Sequence, residues 1–382
     1  MRLALVRQDF VTDGAVERVT ERALEALLER NVAVSLYTRS WPQTRLQLVE
    51  PVICNPFHLG SLWRDWGFAR ATCRGIRRSQ PSLVESHERM LCCDIYRAGD
   101  GVQAVWLEEQ LKRASTSGRI TALLSPRNRY LVAIEKRLYA SPWLRAVICN
   151  SKMVRDEILS RFAVQESKLH VVYNPVDGVH FHPGLRAERT KILERHRIAA
   201  GTTVYLLVAA DFTRCEVGTA IDALAALSPP VQLVVIGTDP DVERYRERAR
   251  TLGVADRVTF TGRVGDPRPY YGAADAFVLP SIYDPSPGTV LQAMACGLPV
   301  VTSAKSGAAE LLREHDAGLV CASGDAAGLA RHMGTLQNPA ARAHFAVNAR
   351  RATLPLSPPA ITLQLVLLYR DLLAAIAKPQ NS

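Results

Sequence analysis

The sequence lacks the features that would place it in several simple classes of protein. No uninterrupted apolar run reaches membrane-spanning length. The N-terminal Leu3-Ala-Leu-Val6 stops at three polar residues, which predicts a first strand rather than a signal peptide. The eight cysteines contain no CxxC pair. We therefore expect neither a disulfide framework nor a zinc site, and we expect a reducing cytoplasm as the setting.

Acidic residues are few relative to basic ones. The chain has 37 Asp and Glu against 47 Lys and Arg, which gives a formal net charge of +10. This excess predicts an anionic partner, which can be nucleic acid, an anionic membrane surface or a phosphorylated substrate. The sequence has no RNP, KH or helix-turn-helix pattern, so we expect no nucleic-acid partner.

The length and the apolar pattern indicate two α/β domains. A chain of 382 residues is too long for one ordinary hydrophobic core. Short apolar runs alternate with helical patterns in both halves, which predicts two doubly wound, Rossmann-like parallel sheets. We place the domains at residues 1–175 and 176–355. Residues 356–382 are expected to form a last helix that packs toward the first domain, too short and too charged to span a bilayer.

The first βαβ turn carries one glycine and no GxGxxG, so it lacks a dinucleotide fingerprint. Gly14 would let the backbone approach a diphosphate, and an ordinary turn glycine explains it equally well.

The segment Ser281–Thr302 carries the clearest candidate ligand site. Its pattern predicts the end of a buried strand, a tight loop, a short helix and a second strand. Ser286 is expected to cap the helix, with Pro287 in the first turn. Gly288 permits close approach of a ligand, and the free N–H groups and dipole of the helix start suit a phosphate. An ordinary βαβ crossover explains the same pattern.

Two polar residues in the first half are candidates for a ligand site. His87 follows a predicted strand, where ligands bind in open α/β sheets, and Asp100 lies between two glycines. A structural histidine and a plain turn aspartate are the alternatives.

The stretch from Lys112 to Arg145 is basic and contains a single carboxylate, Glu135. Apolar and aromatic residues are interspersed, which is typical of an interfacial membrane contact. A solvated basic face is the alternative. The candidate membrane contacts are Lys112, Arg113, Arg119, Arg127 and Arg129.

Several segments together resemble the retaining, GT-B-fold glycosyltransferases of family 4. In the C-terminal half they are Tyr173-Asn-Pro-Val-Asp177, Val235-Ile-Gly237, Val258-Thr-Phe-Thr-Gly-Arg263, Tyr271-Gly-Ala-Ala-Asp275, Tyr283-Asp-Pro and Ala293-Met-Ala-Cys-Gly-Leu-Pro-Val-Val301. The N-terminal half is similar to the lipopolysaccharide-core glucosyltransferases through Gly14 with Glu17-Arg18, Tyr37-Thr-Arg-Ser-Trp41 and Cys93-Asp-Ile-Tyr-Arg-Ala-Gly-Asp100.

The resemblance implies that the two domains face a central cleft. It implies a nucleotide-sugar donor, such as a UDP-sugar, on the C-terminal domain and a phosphorylated glycolipid or glycan acceptor on the N-terminal domain. The sugar is transferred with retention and without a metal or other cofactor. The implied setting is the cytoplasm, with peripheral association to the inner membrane.

The same resemblance assigns roles to residues. The implied catalytic residues are Arg214, Asp284, His87 and Asp100. The implied donor-binding residues are Gly14, Arg18, Arg263, Val264, Gly288, Thr289, Val290 and Gln292.

Three positions depart from the family pattern. The donor motif is usually a Glu, seven residues and a second Glu, whereas this chain has Asp284 and Gln292. Where the family commonly has an Arg-Lys pair, Cys215 follows Arg214. A thiol cannot neutralise a diphosphate, and Arg18 and Lys305 are the candidates to compensate. Cys215 and Gln292 leave one alternative to sugar transfer, a non-catalytic member that binds nucleotide as a partner subunit. Among enzymes, a nucleotide-sugar epimerase of similar fold is a separate alternative.

Overall fold

The computed structural model describes residues 2–9, 28–29, 32–41 and 49–377. The chain divides into two compact units. The first comprises Met1–Pro175 and Pro358–Ser382, and the second comprises Val176–Ser357. Each unit is built around one parallel sheet, so the predicted pair of Rossmann-like sheets is confirmed.

The first unit contains a seven-stranded sheet with the order β3-β2-β1-β4-β5-β6-β7. All neighbouring strands in it are parallel. The order changes direction between β1 and β4, and in such sheets ligands bind beyond the carboxyl ends of the strands at that point. The strands are β1 (Arg2–Val6), β2 (Ala33–Thr38), β3 (Glu50–Ile53), β4 (Leu83–Ser86), β5 (Ile95–Arg97), β6 (Ala146–Cys149) and β7 (Leu169–Val171).

The helices of the first unit follow its strands in chain order. The first βαβ pattern predicts a helix from about Ala15 to Arg30, and the structure describes only residues 28–29 of that range. The described helices are α1 (Gly60–Ser79), α2 (Gln103–Arg113), α3 (Thr116–Leu124), α4 (Pro126–Tyr139), α5 (Lys152–Arg161) and, from the C-terminus, α14 (Pro358–Ala377).

The second unit contains a six-stranded parallel sheet with the order β10-β9-β8-β11-β12-β13. The strand order of this sheet reverses between β8 and β11, which are hydrogen-bonded neighbours. The strands are β8 (Thr203–Val208), β9 (Val231–Ile236), β10 (Val258–Gly262), β11 (Ala276–Leu279), β12 (Val300–Ser303) and β13 (Gly318–Cys321). The helices are α6 (Arg189–Arg195), α7 (Val217–Ala225), α8 (Val242–Thr251), α9 (Arg268–Ala273), α10 (Gly288–Ala295), α11 (Ala309–His315), α12 (Ala326–Thr335) and α13 (Pro339–Thr353).

The central strands of the second sheet are buried on both faces. β9 and β11 consist almost entirely of apolar residues, and every residue in them is buried. This is the composition expected of strands covered by helices on both sides. Gly237, directly after β9, has φ of +137°, and a Cβ there would lie 1.8 Å from the carbonyl oxygen of Ala209. The close approach of these two strand ends therefore requires glycine.

A buried charge cluster ties α14 to the sheet of the first unit. Glu85 in β4 is 1% exposed and accepts a hydrogen bond from Arg97 in β5 at 2.8 Å. The hydroxyl of Tyr369 in α14 donates to the other carboxylate oxygen. Burial alone would raise the pKa of Glu85, but Arg97, His87 and Tyr369 together lower it below its ordinary value. The cluster therefore keeps a buried carboxylate ionised and holds α14 on the unit.

By length and composition α14 is the one helix in the described part of the chain that could cross a membrane. The expectation that the last helix is too short and too charged to span a bilayer is therefore wrong. A stripe at helical spacing, Ile361, Leu365 and Tyr369, is nevertheless buried in the first unit.

The expectation of unpaired cysteines is also wrong at one place. Cys73 in α1 forms a disulfide with Cys92 in the loop after β4, with their Cα atoms 5.7 Å apart. The other six cysteines are free and buried. Cysteine spacing along the chain gave no signal for this pair, because it is the packing of α1 beside the loop that brings the two residues together.

We expect that reducing the Cys73–Cys92 disulfide lowers the free energy of unfolding by about 3 kcal/mol, the value for a closed loop of this size. Urea unfolding with and without dithiothreitol measures the loss, and Cys73→Ser should show no further effect of the reductant. Thiol titration of the denatured protein should count six free cysteines. A count of eight would contradict the bond.

Removing the hydroxyl of Tyr369 should cost about 2 kcal/mol, because it takes a donor from a buried charged acceptor. Urea unfolding of Tyr369→Phe measures this loss. The matched control is Tyr205→Phe, which removes a buried hydroxyl that donates to the neutral carbonyl of Met333 at 2.6 Å. The control should cost about 1 kcal/mol. Equal losses in the two variants would mean that the charge of Glu85 contributes nothing.

Candidate functional site

Three loops meet at the carboxyl edge of the second sheet, where its strand order changes direction. They follow β8, β11 and β12. The N–H of Ile282 donates to the carbonyl of Arg214 at 2.9 Å, and the N–H of Asp284 donates to the carbonyl of Lys305 at 2.9 Å. Gly307 in turn donates to the carbonyl of Asp284 at 2.8 Å. These bonds place Arg214, Asp284 and Lys305 side by side.

Arg214 is anchored at both its backbone and its side chain. Its N–H donates to the Asp211 carboxylate at 2.8 Å, and its Nε donates to the carbonyl of Tyr283 at 3.2 Å. The guanidinium is therefore fixed next to the loop that carries Asp284. A planar, permanently charged group in this position suits a diphosphate, which it can bind through parallel N–H donors.

Asp284 is half-buried and lies in the field of Arg214. Burial raises the pKa of its carboxyl, while Arg214 and the N–H of Ser286 lower it, and the net direction is upward. A carboxylate that has lost part of its hydration gains more from each hydrogen bond it accepts. Sugar hydroxyls are donors of the kind that such a group binds.

Cys215 is the buried neighbour of these two charges. Burial first, and then the Asp284 carboxylate, raise the pKa of its thiol to about 12. The thiol therefore stays protonated and neutral near pH 7. It contributes none of the positive charge that the family pattern places at this position.

Helix α10 begins one residue later than expected. It starts at Gly288, and Pro287 in the N-cap position gives no side-chain cap. Ser286 is therefore not the cap, and its N–H bonds to the Asp284 carboxylate instead. Val290 donates to the carbonyl of Pro287 at 3.1 Å, so that N–H is already engaged. The first N–H groups of a helix, here those of Gly288 and Thr289, have no acceptor within it.

Gln292 lies on α10 and is 6% exposed. Its amide oxygen accepts a hydrogen bond from the buried Tyr271 hydroxyl at 3.0 Å. What this amide can offer a ligand is therefore its N–H donors, whereas a glutamate would offer an acceptor. Arg263 and Val264 directly follow β10, and Arg263 is exposed.

His87 lies at the carboxyl edge of the first sheet, directly after β4, where the strand order of that sheet reverses. Its N–H donates to the carbonyl of Val6 at 2.9 Å, and its Nε2 lies 3.5 Å from the Glu85 carboxylate. Burial lowers the pKa of the imidazole more than Glu85 raises it. The ring is therefore neutral near pH 7 and belongs to the buried charge cluster as well as to the sheet edge.

Asp100 follows the neighbouring strand β5 and is 80% exposed at its side chain. The Arg89 guanidinium lies 3.8 Å from it and is held in place by Glu135 at 3.1 Å and by the carbonyl of Gly101 at 3.1 Å. His87 and Asp100 thus follow adjacent strands of the same edge. The other two candidates of this unit, Gly14 and Arg18, lie outside the described residues.

Most of the predicted membrane contacts are already paired within the first unit. Lys112 and Arg113 both contact Glu109, at 2.7 and 3.4 Å. Arg127 contacts Asp65 at 2.9 Å, and Nε of Arg119 donates to the carbonyl of Leu111 at 2.9 Å. Arg129 is exposed.

The apolar residues of helix α3, within this basic stretch, are exposed. Helix α3 has no buried residue. Ile120, Leu123 and Leu124, at helical spacing, are 54–66% exposed. An apolar helical face that covers no core is typical of a segment that lies in a membrane interface.

Sequence reasoning missed the residues that hold the site together. Glu216 has a φ of +53°, and its carboxylate accepts from the N–H of Gly324 at 2.8 Å, which links the β8 loop to the β13 loop. Glu88 accepts from the N–H of Gln8 at 3.0 Å at the edge of the first sheet. A charged residue inside an apolar strand pattern, such as Glu85 or Arg97, was the one sequence signal that could have indicated a buried charge cluster. Within the described residues, no group of three or more His, Cys, Asp or Glu is arranged to hold a metal ion.

Two family models match the chain in succession. The model described as Glycosyltransferase Family 4 matches residues 16–178, and the one described as Glycosyl transferases group 1 matches residues 188–352. A probable transglycosylase of Burkholderia thailandensis is 28% identical over 83% of this chain and 81% of its own length. The lipopolysaccharide core biosynthesis glycosyltransferase LpsE of Rhizobium meliloti is 37% identical over 30% of this chain and 33% of its own length.

Solved structures share the fold over nearly the whole chain. The structure of WaaG, a glycosyltransferase involved in lipopolysaccharide biosynthesis, aligns with a TM-score of 0.81 at 19% identity, covering 96% of this chain and 99% of WaaG. HepE of Anabaena in complex with UDP-glucose aligns with a TM-score of 0.74 at 19% identity, covering 97% of this chain and 100% of HepE. The family models and the two parallel sheets agree: the chain belongs to the family 4 glycosyltransferases of GT-B fold.

Proposed function

We propose that the protein transfers a hexose from a nucleotide-sugar donor, with retention of configuration, to a lipopolysaccharide-core or related glycolipid acceptor at the inner membrane face. The observation that carries this proposal is the fixed placement of Arg214 beside Asp284 at the switch point of the second sheet. The HepE structure holds UDP-glucose, and LpsE and WaaG are named for lipopolysaccharide synthesis, which supports donor and acceptor of these classes.

The donor site is assigned to the second unit. Arg214 binds the diphosphate, assisted by the N–H groups of Gly288 and Thr289 at the start of α10. Asp284 accepts hydrogen bonds from the sugar hydroxyls. Gln292 donates to a ribose oxygen through its amide N–H groups. Arg263 and Val264, which follow β10, line the base.

The transfer needs no general base from the protein. The bond from the anomeric carbon to the phosphate oxygen breaks, and the acceptor hydroxyl forms a new bond to that carbon on the same face. The acceptor proton passes to the leaving phosphate oxygen. The role of the protein is then to neutralise the charge that develops on the diphosphate, which is commonly the largest electrostatic contribution in such a site.

Lys305 supplies the second cation in this proposal. The neutral thiol of Cys215 cannot do so, whereas the backbone of Lys305 is hydrogen-bonded to Asp284 at 2.9 Å. A lysine side chain that starts beside Asp284 can reach the same diphosphate as Arg214. In the first unit, the neutral imidazole of His87 and the exposed carboxylate of Asp100 are assigned to the donor sugar and the acceptor.

A second candidate is a member of the family that binds nucleotide sugars but has weakened or no catalysis. The specific observations in its favour are the neutral thiol at Cys215 and the amide oxygen of Gln292, which Tyr271 occupies. An epimerase is distinguished by turnover of donor without acceptor.

Arg214→Ala should lower kcat/KM for sugar transfer by about 100- to 1,000-fold, because it removes a charge that acts on the leaving group. A thermal-shift screen of UDP-, GDP-, ADP- and TDP-sugars first identifies the donor, since a ligand of the native state raises stability. Transfer to lipopolysaccharide-core acceptors is then measured. The matched control is Arg313→Ala, an exposed arginine on α11, which should leave the rate unchanged.

Three results would separate the alternatives. Nucleotide binding without turnover over the full panel would support the non-catalytic member. Donor conversion in the absence of acceptor would support an epimerase. An unchanged rate in Arg214→Ala would contradict the proposed role of its guanidinium.

We expect the protein to co-sediment with vesicles containing phosphatidylglycerol and to bind neutral phosphatidylcholine vesicles weakly. The contacts are the basic residues Lys112, Arg113, Arg119, Arg127 and Arg129 together with the apolar face of α3. Charge reversal at Lys112, Arg113 and Arg119 should reduce binding by at least about tenfold. The matched control reverses three exposed arginines of the second unit, Arg195, Arg313 and Arg351. Equal binding to neutral and anionic vesicles would contradict an electrostatic contact.

A further inference from the structure

A groove of about 720 Å³ lies between α1 and α4 of the first unit, and none of its lining residues is assigned to the donor or the acceptor. Each helix contributes one stripe at helical spacing. On α1 the stripe is Trp66, Arg70, Cys73 and Arg77, and on α4 it is Tyr130, Ile134 and Arg137. Met90 and Cys92 from the loop after β4 and Trp143 from the segment after α4 complete the lining.

The groove is held open by contacts that do not involve its arginines on α1 and α4. The Cys73–Cys92 disulfide fixes α1 to the loop that forms one wall. At the start of both helices Arg127 contacts Asp65 at 2.9 Å and joins α4 to α1. The walls therefore keep their separation without a ligand.

The charge of the groove is positive and largely uncompensated. Its lining contains four arginines and no carboxylate. Arg89 is neutralised by Glu135 at 3.1 Å. Arg70, Arg77 and Arg137 form no ion pair with any described residue, and Arg70 lies over the ring of Trp66 at 5.6 Å. Three guanidinium groups that face a common space without an acid favour a phosphate group.

The rest of the lining is apolar and continues to the surface. Met90 and Ile134 are 1% and 9% exposed, whereas Trp66 and Trp143 at the mouth are 46% and 71% exposed. Tryptophan at the rim of an apolar surface is typical of a membrane interface, where one edge of the ring is apolar and the other is hydrated. The groove thus combines sites for a phosphate and for an acyl chain.

We propose that this groove binds the phosphate headgroup of one anionic membrane phospholipid, with the glycerol and upper acyl chain against the accessible apolar lining residues Leu91, Trp66 and Trp143. The proposal rests on the membrane contact of the proposed function and adds to it a defined site. Helix α3, with its exposed apolar face, packs against α4. The proposal therefore places the groove and the exposed face of α3 in one membrane-facing region.

The test compares two triple variants on the same helices. The groove triple changes Arg70, Arg77 and Arg137 to Gln. The control triple changes Arg74, Arg78 and Lys136 to Gln, which are exposed, lie on α1 and α4, and do not line the groove. Both lose three positive charges. Partition onto phosphatidylglycerol vesicles should fall at least about tenfold more in the groove triple, because bidentate arginine–phosphate bonds act at short range. Equal losses would overturn the proposal in favour of diffuse attraction.

A second variant keeps the charge and fills the space. Ala69, which lines the groove, is changed to Trp. Calorimetry with dihexanoyl phosphatidylglycerol below its micelle concentration should show saturable, one-to-one binding to wild type and the control triple, and none to Ala69→Trp or the groove triple. Equal binding of inorganic phosphate would show a free-phosphate site, and no saturable binding to wild type would remove the site altogether.

Failure here is distinguishable from failure of the proposed function. Nucleotide-sugar binding and transfer to a water-soluble acceptor should be unchanged in the groove triple, because none of its residues is assigned to donor or acceptor. If the groove triple binds lipid normally while wild type transfers sugar, only the lipid site is wrong. Circular dichroism and urea unfolding show that each variant is folded.

Discussion

Two backbone hydrogen bonds between loops determine the geometry of the candidate donor site. Ile282 bonds to the Arg214 carbonyl and Asp284 bonds to the Lys305 carbonyl, each at 2.9 Å. The three loops follow β8, β11 and β12, which are adjacent in the sheet. The parallel sheet thus brings together charges that are 70 and 21 residues from Asp284 in sequence. Side chains on loops held in this way lose little freedom when they bind a ligand, which is the condition for electrostatic stabilisation without reorganisation.

In the first unit the central feature is a buried charge. Glu85 is fully enclosed, and its ionised form is maintained by Arg97, His87 and Tyr369. A buried charge that lost one of these partners would be strongly destabilising. Because Tyr369 comes from α14, the last helix contributes to the environment of His87 although it lies far from it in sequence. The same carboxylate therefore holds α14 in place and opposes the effect of burial, which keeps the His87 ring neutral.

The sequence predicted the strands and the class of fold well, because parallel strands buried on both faces appear as short apolar runs. The first strand, expected at Leu3–Val6, is observed at Arg2–Val6, and the strand expected before His87 is observed at Leu83–Ser86. It also predicted that Arg214 and Asp284 act together, through the family resemblance and not through their spacing. It did not predict the Cys73–Cys92 bond, the partners of Glu85 or the capping of α10. These depend on contacts between distant segments, which residue spacing along one chain does not encode.

The ion pairs in the structure show which basic residues contribute to the net charge of +10 at the surface. Glu109 is shared by Lys112 and Arg113, and Asp65 is shared by Arg64 and Arg127, so pairing removes only part of the positive charge of these residues. Arg89 and Arg97 are each paired with a buried glutamate of their own. An anionic partner interacts with the charge that remains after such pairing, since a paired arginine presents a small net field. In the first unit that remainder includes Arg70, Arg77 and Arg137, and these three line one groove with apolar walls. A diffuse basic surface would attract any polyanion, whereas three arginines in a groove of fixed width select a phosphate that carries an apolar chain.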